Sequence, residues 1–279
     1  MQAEIQSLYH SKICSVHNFL CQCHDCKVSA TEYQENFSFA YVRTGNFLFK
    51  TFKNDLDAHH GLFLISKPGY EYRVGHVHDM PDQCTIFSLG ADSLEHLRTQ
   101  NQGYSWFFKN PDLQSILIKA TPETEYLHHH IFQMMSQSRF HRLLAEQLIT
   151  DLFLKVLSSS QNDTSGFQLS YKQKRNYLPV IESVKAFIND SFAENLSLSQ
   201  LADLGNMSPY HFNRVFKQIT NASPYNYLLR VRLQQANLQL SNTDLPITTI
   251  AFSCGFNSLE NFSTAYKNQF GKAPTATRL

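Results

Sequence analysis

Asn213 and Arg214 stand side by side, with Tyr210, His211 and Lys217 around them. An amide and a guanidinium each present a forked hydrogen-bonding edge, the first matching adenine and the second guanine in a duplex groove. Tyr210 joins them as a candidate base reader, while His211 and Lys217 suit phosphate oxygens. Positions 210, 213, 214 and 217 follow an i, i+3, i+4, i+7 pattern, so one helix shows them on one face. Leu259, Glu260, Ser263, Thr264 and Lys267 form a comparable face some fifty residues later, less basic than the first. For any one of these positions, the plain alternative is a solvated surface side chain.

A second chemistry is offered by sulfur and imidazole. Cys21, Cys23, His24 and Cys26 form a dense group of soft ligands, and His76, His78, Asp82 and Cys84 form another. The Cys-x-x-Cys at 23–26 with two ligands from the second group would suit tetrahedral zinc. Alternatively, Gly69, His76, His78 and Asp82 approach a cupin metal motif, with the spacing off by one and Asp in place of the usual Glu. The competing reading is small buried cysteines and hydrogen-bonded histidines, with no cofactor at all.

The polar faces need helices to carry them, and the chain supplies one motif twice. Leu198–Lys217 and Ile247–Lys267 align at an offset of 49 for Ala202/Ala251 and Met207/Phe256. After the extra Asn257 the offset is 50, for Ser208/Ser258, Phe212/Phe262, Phe216/Tyr266 and Lys217/Lys267. A repeat of this length marks two copies of one supersecondary unit. A small residue where two short helices cross, a serine N-cap and paired aromatics on the buried face describe a helix-turn-helix. Pro209 fits the first helical position, where its missing N–H is not needed. The predicted reading helices are 208–219 and 258–269. A connecting helix over 225–240, about 24 Å long at about 1.5 Å per residue, would let both meet successive major grooves on one side of a duplex.

Residues 180–278 resemble the DNA-binding domain of the arabinose-regulator (AraC/XylS) family of bacterial transcription factors. The likeness rests on Ser223-Pro224-Tyr225-Asn226-Tyr227-Leu228, Arg232-Leu233, Ala236, Ser253-Cys254-Gly255-Phe256, Phe262, Tyr266-Lys267 and Phe270-Gly271-Lys272-Ala273-Pro274. Two local departures are Asn221, where glycine is common, and Thr264, where arginine is common. The resemblance implies promoter DNA and RNA polymerase as partners and a cupin-like N-terminal barrel that takes a small effector. It also implies helices after that barrel that form a homodimer face, unless they only pack on the barrel. Activation and repression both stay open.

The rest of the chain agrees with a two-part protein. Its 279 residues suffice for two cores. Net charge is +1, but residues 1–167 hold 13 Lys/Arg against 17 Asp/Glu, and the remainder 11 against 6. The basic half fits a nucleic-acid reader. Residues 1–120 show short aromatic and β-branched runs between turn signals, as a barrel or double-sheet roll would. Residues 121–158 turn helical, with Ala145, Ile149, Leu152 and Val156 on one stripe and Leu144, Leu148 and Phe153 beside it. A polar linker covers 159–178, and Pro179 opens the first helix of the reader, 179–279. The expected fold is α+β multidomain: an N-terminal cupin-like β-barrel with helices, then an all-α domain of two helix-turn-helix units. No apolar run approaches a membrane span and no leader pattern opens the chain, so a cytoplasmic, nucleoid-associated protein is expected. The competing functional classes are a metal-dependent cupin enzyme, or a metal, redox or alkylation sensor, fused to a DNA-binding domain.

Overall fold

The computed structural model describes residues 3–22, 28–52, 54–76, 81–100, 105–137, 139–159, 171–220 and 222–277. Two compact units divide the chain, Met1–Leu178 and Pro179–Leu279.

The first unit is built from β1 (Ala3–His10), β2 (Cys14–Cys21), β3 (Glu32–Gln34), β4 (Ser38–Thr44), β5 (Asn46–Thr51), β6 (Asp55–His59), β7 (Leu62–Ser66), β8 (Tyr70–His76), β9 (Gln83–Leu89) and β10 (Ser115–Lys119). They pair into a six-stranded sheet of order β1-β2-β9-β4-β7-β10 and a four-stranded sheet of order β3-β8-β5-β6. Alternation along each strand sorts side chains to opposite faces. Val42, Leu64 and Cys84 of the larger sheet pack with Phe47, Phe49, Ala58 and Tyr70 of the smaller one. The other face of the larger sheet turns Phe39, Tyr41, Phe63 and Phe87 toward helices, with Phe39 and Phe87 stacked at 4.6 Å.

Those helices are α3 (Pro122–Met135) and α4 (Arg142–Ser159). Thr121 and Thr124 form a capping box at the start of α3, with Pro122 at its first position. The stripe predicted on α4 is buried at Ala145, Ile149, Leu152 and Val156, and at Leu148 and Phe153 beside it. Leu144 is only half-buried.

Three expectations need correction. The ladders form two open sheets, and among the described residues none closes them into one barrel. Short apolar runs of this kind are buried in either arrangement, so the sequence pattern cannot separate them. Two helices, α1 (Ala91–Gln100) and α2 (Ser105–Lys109), interrupt the region read as strands. The first is largely polar and the second is five residues long and mostly aromatic, so neither carries a helical period. Finally, α5 (Tyr171–Ser191) contains Pro179 inside it and begins before the residue expected to open it. A proline removes one internal hydrogen bond, yet the flanking turns continue. Ser159 ends α4 rather than opening the linker, whose residues 160–170 lie outside the described residues.

The second unit continues with α6 (Leu198–Asp203), α7 (Pro209–Thr220), α8 (Pro224–Asn242), α9 (Ile247–Ser253) and α10 (Leu259–Phe270). Leu233, Ala236 and Leu240 of α8 join Ile250, Ala251, Cys254, Phe256, Phe262 and Tyr266 in one core. Among the described residues no helix is long and apolar enough to cross a membrane.

Candidate nucleic-acid interface

The two copies share their backbone geometry as well as their sequence. In the first, the Met207 N–H donates to the Ala202 carbonyl at 3.1 Å; in the second, the Phe256 N–H donates to the Ala251 carbonyl at 3.1 Å. Ala202 and Ala251 are fully buried where the helices cross. Asn206 (φ 50) and Gly255 (φ 81) occupy the same turn position in the left-handed region. Asn tolerates that region better than most side chains and glycine adopts it freely. This shared turn was legible in the offset of 49 but was not singled out from the sequence. At Gly255 a Cβ would also fall 2.8 Å from the Ala193 carbonyl oxygen and 3.0 Å from the Arg232 guanidinium.

The serines cap the second helix of each copy. Ser208 Oγ accepts from the His211 N–H at 3.3 Å, and Ser258 Oγ accepts from the Asn261 N–H at 3.2 Å. Caps at these places fix where each reading helix starts. Phe212, Val215, Phe216 and Ile219 then point inward from α7, and Phe262 and Tyr266 from α10. The Tyr266 hydroxyl donates to Asn237 Oδ1 at 2.6 Å, tying α10 to the connecting helix.

What remains outside is the predicted face. Tyr210 is 82% exposed. Ser208, Arg214 and Lys217 are exposed, and His211 and Asn213 half-buried. Arg214 Nη2 lies 3.4 Å from His211 Nδ1, a loose contact that leaves the guanidinium available. On α10, Leu259, Glu260, Thr264 and Lys267 are exposed, with Ser258 and Ser263 half-buried. The electrostatics favour the first face. No Asp or Glu occurs between Asp203 and Asp244, while Arg214, Lys217, Arg230 and Arg232 do.

The connecting helix α8 has 19 residues, three more than expected, and spans about 28 Å at about 1.5 Å per residue. Arg232, a cation on this helix, could by its charge pair with an acid or a phosphate. Instead its Nε donates to the Phe192 carbonyl and its Nη2 to the Glu194 carbonyl, each at 2.8 Å. Those carbonyls follow the end of α5, where acceptors lack intrahelical partners. Arg232 is therefore a helix-end clasp. Burial pushes the neighbouring Cys254 thiol up to about 11.

The sulfur and imidazole group is only partly placed. Cys21 and Cys84 are buried in the thiol form. Among the described residues no three His, Cys, Asp or Glu side chains come together as metal ligands. Cys23, His24, Cys26 and His78, and the side chain of His76, lie outside the described residues, as does Asn221.

Comparison with known proteins places this geometry in context. A family model described as a helix-turn-helix domain matches residues 201–279. The XylDLEGF operon transcriptional activator 2 of Pseudomonas putida is 31% identical over 133 residues, covering 47% of this chain and 85% of that protein. The HTH-type transcriptional activator RhaS of Pectobacterium carotovorum is 30% identical over 127 residues, covering 46% of this chain and 44% of that protein. The chain thus spans less than half the length of the RhaS activators it matches, 44% and 35% for two of them. Among solved structures, a transcriptional regulator with an AraC-type DNA-binding domain from Chromobacterium violaceum is 30% identical. That match covers 37% of this chain and 93% of that one, with a TM-score of 0.35.

Proposed function

Because the chain belongs to the AraC/XylS family of transcriptional regulators, we propose that it reads promoter DNA through α7 and α10, set in successive major grooves on one side of the duplex. The observation that carries this reading is the duplicated turn, which presents two capped helices from one chain, the first with an acid-free polar face. Tyr210, Asn213 and Arg214 read bases; His211, Lys217 and Lys267 hold phosphates. Ser208, Ser258, Leu259, Glu260, Ser263 and Thr264 line the same surface. The span of α8 falls about 6 Å short of the roughly 34 Å groove repeat, a gap the helix radii and turns supply. One chain then recognises an asymmetric site, and no palindrome is required of it.

The names of the relatives, transcriptional activators, support activation; in this reading RNA polymerase is a further partner. The two-sheet first unit serves as the sensing part, modulated by a small effector, and α3 and α4 serve as the homodimer face. In this reading the protein is a regulator rather than an enzyme. Selection of bound duplexes from a random pool, followed by affinity measurement near physiological salt, tests it. A specific site should bind about a thousandfold or more tighter than bulk genomic fragments. No preference for any duplex would reject the proposal.

A further inference from the structure

The aromatic layer between the larger sheet and α3 contains a polar island that the DNA-reading function does not use. Asn18, Thr85 and Tyr41 lie side by side across β2, β9 and β4, because Thr85 is the register partner of both Asn18 and Tyr41. Arg43 follows at a break in the β4 register, where its Nη2 donates to Asn18 Oδ1. Its guanidinium sits 4.4 Å from the centre of the Phe132 ring on α3. His128, one turn earlier on α3, packs its ring tilted against that of Tyr41, with 4.3 Å between centroids. Sheet and helix thus enclose the same few side chains.

Three polar atoms of this island are buried and, among the described residues, without a hydrogen-bond partner: Arg43 Nε, Thr85 Oγ1 and His128 Nε2. Thr85 and His128 are 0% and 3% exposed. Each such group carries a desolvation cost unless something bonds to it. Among the described residues no carboxylate is in ion-pair contact with Arg43. The nearby carboxylate of Glu125 accepts from the Tyr41 hydroxyl at 3.0 Å. The imidazole of His128 is held neutral by burial, so it can donate through Nε2 without adding charge. A part-buried guanidinium, a hydroxyl and an imidazole on one island match the oxygens of an anion, and the guanidinium edge is built for them.

We propose that this island binds a small oxyanion between the six-stranded sheet and α3, with Arg43 supplying the charge and Thr85 and His128 the remaining donors. A carboxylate and a phosphate share this chemistry. The site deepens the effector part of the proposed function and rests on it for any regulatory consequence, but anion binding itself requires no DNA.

The full-length protein in chloride buffer is titrated with sodium butyrate and, separately, with inorganic phosphate, followed by NMR shifts and thermal unfolding. Butyramide and matched sodium chloride are the controls. At least one anion should saturate a single site per chain and raise the unfolding midpoint, while butyramide does neither. Butyrate binding identifies a carboxylate site, and phosphate binding a tetrahedral one. Arg43→Gln should weaken binding about 10- to 100-fold and the near-isosteric Thr85→Val by less. If Arg43→Gln does not fold, Thr85→Val and His128→Gln carry the comparison. The site is refuted if neither anion exceeds the chloride control, if butyramide matches butyrate, or if the folded variants bind as the unaltered protein does. Anion binding by a protein with no duplex preference would overturn the DNA-reading proposal and leave this one standing, and the reverse pattern would do the opposite.

Discussion

Removing the Arg214 side chain separates the reading role of α7 from its role in the fold. Arg214 is exposed, and among the described residues its guanidinium makes only a loose approach to His211 at 3.4 Å. Nothing in the core depends on it, so Arg214→Ala should change stability by no more than about 0.5 kcal/mol. A guanidinium bonded to a guanine edge contributes about 1–3 kcal/mol of discrimination. That is about a 5- to 150-fold loss in Kd on the selected duplex. Fluorescence anisotropy with that duplex and with a scrambled one, at about 150 mM salt, measures both affinities. The expected result is a large loss on the selected duplex, relaxed preference at one base pair, and little change on the scrambled one. Equal losses on both would make Arg214 a phosphate contact, and an unchanged Kd would remove it from the interface. Lys217→Ala is the internal contrast: it should weaken both duplexes alike and lower the salt slope by about 1.

Gly255→Ala forces a side chain into left-handed backbone against the Ala193 carbonyl and Arg232; it should destabilise the second unit by about 1–2 kcal/mol or more, read by urea unfolding. Arg232→Ala leaves the two carbonyls after α5 without their donor and should cost about 1–3 kcal/mol in the same assay. Its DNA affinity, measured where the variant stays folded, should match that of the unaltered protein. Burial holds His128 well below its ordinary 6.5, so on acidification the unfolded chain takes up this proton first. The first unit should therefore have its full stability above about pH 6.5 and lose up to about 1.4 kcal/mol per pH unit below it. His128→Gln should flatten that dependence in thermal melts across the range, and an equally steep profile would exclude His128 as its cause.

The second unit could be read from the chain because its determinants are local. Ala202 and Ala251, the serine caps and the aromatic pairs act over a few residues, and their repetition at a nearly fixed offset makes each copy a check on the other. The polar face of α7 follows from helical period alone once Phe212 and Phe216 are turned inward. Other features depended on contacts that no local pattern encodes. Arg232 could reach an acid, a phosphate or a carbonyl, and only the position of the end of α5 decided among them. Pro179 carries a start signal that the surrounding helix overrides. In the first unit, short aromatic and β-branched runs between turn signals marked the strands, but whether strands close into a barrel or pair into two sheets is set by which edges meet. The island around Arg43 was invisible for the same reason: Asn18, Arg43, Thr85 and His128 are far apart in the chain, and only the strand register and the packing of α3 bring them together.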